Sequence, residues 1–365
     1  MKPNTNHFHG SDLEKIETVY HINKNNITTF SSNVNPLGPS DTLYNILKEH
    51  VDIIASYPDR DYTALRESIA SYIDSTPEHI LVGNGTTELI SLFIQITHPV
   101  KALLLSPTYS EYERELILGE SSYSYYELNE SNDFQLNPEH LLYSLDPSLD
   151  LLIICNPNNP TSTSIDRQAM EKIVKACSSL GITVMIDETY VEFVTEPSAI
   201  TAIPLTEQYT NLIVLRGTSK FFAVPGLRLG YAITGSQTLI EQINHQKNPW
   251  GINSLADLGG RYMFHDSAYI EESRTLIASE RQRICDSLSR LDSLKVYPPT
   301  ANFILIKILK EDITSSDFFQ YCIKKGLMVR DCSSFESLQG QYIRFCILSK
   351  KQNNALLSCF HEIFH

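Results

Sequence analysis

An alternation in the middle of the chain constrains its fold most. Between residues 79 and 233, short runs rich in β-branched and other apolar residues recur, with amphipathic stretches between several of them. HILV (79–82), ALLLS (102–106), YSYYEL (123–128), DLLIIC (150–155), TVMID (183–187), NLIVL (211–215) and LGYAI (229–233) read as seven strands. The clearest helix runs from Asp166 to Leu180. Ala169, Met170, Ile173, Val174, Cys177 and Leu180 recur there at helical spacing, with Asp166 as a cap and Gly181 as a stop. Strands alternating with helices predict an α/β fold, its sheet mostly parallel and covered by helices on both faces.

After residue 253 the pattern changes. A helical stretch from Ser254 to Leu291, broken near Asp266, leads to a strand (ANFILIKIL, 301–309), a helix (316–325), a short strand (LMVRD, 327–331), another strand (YIRFCI, 342–347) and a final helix. That is an α+β layout. The chain has 365 residues, which suits two units at roughly 150 residues each. We expect a large unit over 47–253 and a smaller one over 254–365. The first 45 residues read as irregular and Asn-rich, able to pack on either; residues 1–46 are grouped with the smaller unit.

Lys plus Arg is 29 against 43 for Asp plus Glu, a net charge of −14. Nucleic acid and anionic membrane surfaces need a basic footprint, so neither is an expected partner. A pocket can still set its own local field for a small anion. MKPNTNHFHGSD at the start has no apolar core, and the longest apolar stretches have only strand length. Seven cysteines contain no CxxC pair, which argues against a disulfide framework and a zinc site. The expectation is a cytoplasmic protein without a metal.

RGTSKFFAVPGLRLGY (216–231) is the most specific segment. Lys220 follows a strand in a small-residue turn, and Arg228 comes eight residues later between Gly226 and Gly230. A lysine that can lose its proton attacks carbonyls as a Schiff-base amine. In MIDETY (185–190), Asp187 ends a strand and Tyr190 stands three residues on. VGNGTTELI (82–90) follows a strand and opens a helix, so N–H groups at Gly85, Thr86 and Thr87 can face an anion there. No Lys-Ser/Thr pair follows, as a nucleotide loop requires.

These segments, with CNPNNPTS (155–162) and PTYSEY (107–112), resemble in kind and order the motifs of the class I/II pyridoxal-phosphate aminotransferases, enzymes of fold type I. The resemblance implies pyridoxal 5'-phosphate as cofactor, with Lys220 holding it covalently and Ser219 and Arg228 gripping its phosphate. It places Asp187 on the ring nitrogen, Tyr190 and Asn159 at the phenolic oxygen, and Tyr109 stacked on the ring. A protonated ring is an electron sink. Tyr57, in SYPDRDY (56–62), is implied to cross to a partner subunit's cofactor phosphate, which makes the protein a homodimer with shared sites. Two positions depart from the family. Gly217 stands where many members carry Ser or Thr, with Thr218 as the neighbouring substitute, and Ser162 replaces a usual glycine.

Arg344, in YIRFCI, resembles the family arginine for the substrate carboxylate, a role its fork suits. Arg330, in LMVRD, resembles a second arginine found where substrates carry a phosphate. HFHGSD (7–12), FSSNVNPLG (30–38), KNPWGIN (247–253) and VRDCSSFESLQGQYIRFCI (329–347) resemble the threonine-phosphate decarboxylase branch, of cobalamin biosynthesis. That branch implies a lyase acting on O-phospho-L-threonine or O-phospho-L-serine, with His9, Asn35 and Arg330 around the phosphate. The alternative branch is histidinol-phosphate aminotransferase.

Overall fold

The computed structural model describes residues 12–365. Its strands are β1 (Thr28–Thr29), β2 (Ile80–Gly83), β3 (Lys101–Ser106), β4 (Ser122–Glu127), β5 (Leu151–Cys155), β6 (Thr183–Asp187), β7 (Leu212–Gly217), β8 (Gly230–Ile233), β9 (Leu294–Val296), β10 (Phe303–Ile308), β11 (Leu327–Met328), β12 (Arg330–Asp331) and β13 (Tyr342–Cys346). The seven expected strands form one sheet in the order β2-β8-β7-β6-β5-β3-β4. Four of its pairings are parallel. β5 and β7 are buried along their whole length, as strands covered on both faces must be. β8 runs antiparallel to both of its neighbours. Residues 218–229 hold only two short helical turns, too little to carry the chain back across a face of the sheet. The chain therefore reverses at Lys220.

The helix Arg167–Leu180 has the expected ends. The Asp166 carboxylate accepts from the Ala169 N–H at 2.7 Å, and Gly181 takes the left-handed conformation at φ +77°. The helical stretch after 253 breaks where expected, into Ser254–Met263 and Ser267–Leu288, with Asp266 capping the second.

A second sheet, β12-β13-β10-β9, is antiparallel throughout. The LMVRD run is not one strand. β11 pairs in parallel with β1, while β12 turns away to pair with β13. β9 lies in a stretch that gave no strand signal. The N-terminal stretch read as irregular contains a helix, Leu13–Tyr20, anchored by buried Ile16. One apolar core joins Ile154 and Val184 of the large sheet to Phe303 and Phe345 of the small one.

Residues 28–35 pass between the two sheets. The Phe30 carbonyl accepts from the Cys346 N–H at 2.7 Å, and the Asn302 amide donates to the Asn33 carbonyl at 2.9 Å. All seven cysteines are unpaired. Among the described residues, no helix is long and apolar enough to cross a membrane.

Candidate active site

A cavity of about 340 Å³ opens where the carboxyl ends of β5, β6 and β7 meet residues 31–34 and the small sheet. Open α/β sheets bind ligands at such ends. Lys220 reaches it from the helical turn that follows β7, and its Nζ donates to the Ser32 carbonyl at 2.6 Å. Burial, with the Arg344 and Arg228 guanidinium groups nearby, pulls this amine down from 10.5 to about 8. The neutral amine is the form that attacks a carbonyl. Loading of the cofactor-free protein with pyridoxal phosphate, followed by its visible absorbance, should therefore quicken about tenfold per pH unit up to about pH 8 and then level off. A rate that stays flat from about pH 6 to about pH 9 would contradict a titrating Lys220.

Asp187 ends β6 and is only 4% exposed. Its Oδ1 accepts from the Thr189 N–H (2.9 Å) and hydroxyl (2.5 Å), and its Oδ2 accepts from the Tyr112 hydroxyl at 2.6 Å. Burial raises its pKa while these bonds oppose the rise. A carboxylate has about four acceptor positions, so one stays open toward the cavity. Glu188, the next residue, belongs to a buried ion cluster with Arg216.

Tyr190 packs edge-on against Phe303 with centroids 4.9 Å apart, and its hydroxyl accepts from Asn33 Nδ2 at 3.3 Å. Arg344 donates through Nη1 to Asn159 Oδ1 and through Nη2 to the Ser31 carbonyl, the latter at 2.6 Å. Its Nε and the Oδ1 of Asn33 are buried without a partner. Each orphan of this kind costs about 1–3 kcal/mol, which a ligand can recover. Arg330 stands directly opposite Arg344 in the antiparallel ladder. Directly opposed residues share a face, and like charges in that relation repel. Burial and Arg344 accordingly lower the Arg330 pKa. Both guanidinium groups line the cavity.

Thr86, Thr87, Ser219 and Arg228 also line it. Gly85 lies at φ +80°, and a Cβ there would come within 2.3 Å of Arg228 Nη2. A Cβ on Gly230 would lie 2.5 Å from the Thr86 nitrogen. The two glycines thus let a backbone loop and a guanidinium group close on one anion. The Gly85 N–H itself donates to the Gly83 carbonyl at 2.8 Å, so the loop's open donors start at Thr86. Thr218 does not substitute for a hydroxyl at 217. It is fully buried, and its hydroxyl donates to the Leu229 carbonyl at 2.9 Å. The Thr86 side chain occupies that space instead, its methyl 3.3 Å and its hydroxyl 3.9 Å from where a Gly217 Cβ would sit. Ser162 keeps the left-handed backbone of the glycine it replaces, at φ +61°. Its hydroxyl accepts from the Ala301 N–H at 3.0 Å.

Tyr109 borders the cavity at the start of the helix Ser110–Leu118. Asn35 does not reach the cavity, which corrects its expected place at the substrate. Its amide is turned back on the Phe221 carbonyl (2.8 Å), the Tyr269 hydroxyl (3.1 Å) and the Ser273 hydroxyl (2.7 Å), while its N–H donates to the Lys220 carbonyl at 2.9 Å. Asn33, two residues earlier, is the asparagine of this segment that lines the cavity. Tyr57 is 81% exposed and packs at a tilt against Trp250, centroids 5.0 Å apart, beside a surface groove and away from this chain's cavity. His9 lies outside the described residues. Asn33 and Tyr112 are the additions that sequence reasoning missed. Tyr112 follows Tyr109 by three residues in PTYSEY, one helical turn on, and that spacing was the available signal.

An amine, an open carboxylate position, a phenol beside an amide, and a hydroxyl-and-arginine anion cradle match the aldehyde, ring nitrogen, phenolic oxygen and phosphate of pyridoxal phosphate. The residues present fit that group.

Residues 25–360 match the family described as Aminotransferase class I and II. The threonine-phosphate decarboxylase of Salmonella typhimurium is 32% identical, covering 98% of this chain and 97% of its own length. A histidinol-phosphate aminotransferase of Archaeoglobus fulgidus is also 32% identical, covering 92% of this chain and 93% of its own length. The crystal structure of the histidinol-phosphate aminotransferase from Clostridium acetobutylicum superposes with a TM-score of 0.85 at 32% identity, over 92% of this chain and 98% of that one.

Proposed function

We propose, from the premise that this chain belongs to the class I and II aminotransferases and uses their cofactor pyridoxal phosphate, that it decarboxylates a phosphorylated amino acid, O-phospho-L-threonine or O-phospho-L-serine. The product, an amino-alcohol phosphate, would serve cobamide biosynthesis. The observation that carries this reading is the pair Arg330 and Arg344, opposed on one face of the ladder and sharing the cavity with Lys220. Two cations forced together suit a substrate with two anionic ends. The likeness to a threonine-phosphate decarboxylase over nearly the whole chain supports it.

The bound cofactor supplies the electron sink that stabilises negative charge on the carbon bearing the amine. Asp187, held by Thr189 and Tyr112, would keep the ring nitrogen protonated. Thr86, Thr87, Ser219 and Arg228 would hold the cofactor phosphate, Asn159 and Tyr190 the phenolic oxygen, and Tyr109 the ring face. Arg344 takes the substrate carboxylate, with Asn159 and the Ser31 carbonyl fixing its fork. Arg330 and Asn33 take the substrate phosphate. With both ends of the substrate fixed, remote binding energy selects which bond at the α-carbon is broken. Lys220 Nζ then returns a proton to that carbon. Tyr57 completes the partner subunit's cofactor site in a homodimer.

Histidinol-phosphate aminotransferase is the second reading, favoured by relatives of equal identity. Incubation with O-phospho-L-threonine, O-phospho-L-serine, or histidinol phosphate plus 2-oxoglutarate separates the two. Carbon dioxide from a phospho-amino acid without any keto acid is the expected result. Glutamate formed from histidinol phosphate, with no carbon dioxide from either phospho-amino acid, would overturn the proposal.

A further inference from the structure

A second cavity, of about 230 Å³, adjoins the first between the ends of β3 and β4 and residues 334–336. Tyr109, Ser110 and Phe335 line both cavities. Phe335 sits between two short 3₁₀ turns, Cys332–Ser334 and Glu336–Leu338, and is anchored on either side by fully buried Cys332 and Leu338. Ser337 Oγ lies 3.3 Å from Ser106 Oγ, which ties this loop to the end of β3. The Arg330 guanidinium carbon stands 5.9 Å from the Phe335 ring centroid, and its Nη2 donates to the Ser334 hydroxyl at 2.8 Å. In the outer chamber, the Glu113 carboxylate accepts from the hydroxyls of Tyr123 (2.6 Å) and Tyr125 (3.0 Å).

We infer that Phe335 is the length stop of the substrate pocket, selecting phosphorylated amines with a short spacer between the amine-bearing carbon and the phosphate. The inference rests on the reading that Arg330 takes the phosphate. A phosphate at Arg330 has the Phe335 ring beside it. A substrate one methylene longer must push against that ring or leave the guanidinium. The loop cannot yield easily, because its two flanking residues are in the core and its far end is tied to β3. Cutting Phe335 back joins the inner cavity to the outer one and removes the obstacle.

The test is binding, measured through the visible absorbance of the cofactor-loaded protein. The probes are O-phospho-L-serine and O-phospho-L-homoserine, which is one methylene longer. The wild type should favour the shorter probe by roughly tenfold or more, the scale of one methylene in a closed pocket. Phe335→Ala should erase or invert that preference and bind the longer probe more tightly than the wild type does. Phe335→Leu, which keeps an apolar side chain on the loop, should retain part of the preference. Equal weakening of both probes in Phe335→Ala, with an unchanged ratio, would sink the inference, as would a wild type without preference. Carbon dioxide release is read separately. Its absence from the wild type would overturn the proposed reaction and leave the length ratio intact as the measure of Phe335.

Discussion

Lys220→Ala should lower turnover by roughly 10²–10⁴-fold, the contribution of a positioned proton-transfer group, and should leave borohydride with no bond to fix between chain and cofactor. In the wild type the reduced label should map to Lys220. The amine is poised by burial and two neighbouring arginines, and among the described residues no other lysine borders the cavity. A label on any other lysine would refute the assignment. The variant also serves a second measurement. Mixed with Tyr57→Ala subunits, it should regenerate some activity, because one site of the mixed dimer would combine an intact Lys220 with an intact Tyr57 from its neighbour. Mixtures no more active than their components would argue that each site is complete within one chain.

Arg216→Ala should destabilise the fold by about 3–5 kcal/mol, the usual consequence of stripping the partner from buried charges. Arg216 donates through Nε and Nη2 to Glu188 Oε2 at 3.0 and 2.9 Å and through Nη2 to the Thr201 hydroxyl at 2.9 Å, and its Nη1 lies 3.6 Å from Glu192 Oε1. All three charged side chains are buried, so its removal strips Glu188 of its ion-pair partner and leaves Glu192 with only the weaker pull of Arg274. Glu192 already shows the cost of burial, which raises its pKa from 4.5 to about 6 against the pull of Arg216. A carboxylate whose folded-state pKa is raised is tolerated in its neutral form and costs stability as pH rises through that value. Without Arg216 the Glu192 carboxyl rises further, so the deficit of the variant should shrink as pH falls toward about 6 and change little below it. Urea unfolding at several pH values measures this. A midpoint equal to that of the wild type at neutral pH would refute it. Cofactor affinity should fall as well, since Glu188 adjoins Asp187 and Arg216 stands four residues before Lys220.

The large sheet was legible because six of its strands are buried almost throughout and carry apolar runs, while the largely exposed edge strand β4 is marked by its tyrosines. TVMID coincides with β6, and the other six runs differ from their strands by one or two residues at one or both ends. The small elements were not legible. β1 and β9 are two and three residues long, below the length at which periodicity carries information, and β1 pairs with a strand remote in sequence. In the site, Lys220, Asp187 and Arg228 stood in local segments whose spacing already carries the geometry. The asparagine of FSSNVNPLG that faces the cavity did not. Asn33 takes a left-handed backbone at φ +57°, so the alternation of an extended chain does not apply across it. Its neighbour Asn35 has the same side chain and the opposite task, holding the Lys220 turn from behind.

The passage of residues 28–35 between the sheets also orders the making of the site. Ser32 meets Lys220 across 188 positions, and Ser31 meets Arg344 across 313. Closing such loops costs free energy only with the logarithm of their length, so the finished protein tolerates them. Finding them is slow, because contacts remote in sequence come late in folding. A chain still on the ribosome acquires Lys220, Asp187 and Arg228 long before Arg344 has been translated. The nascent protein thus holds its lysine first, and the Arg344 guanidinium that helps to lower the pKa of that amine arrives afterwards.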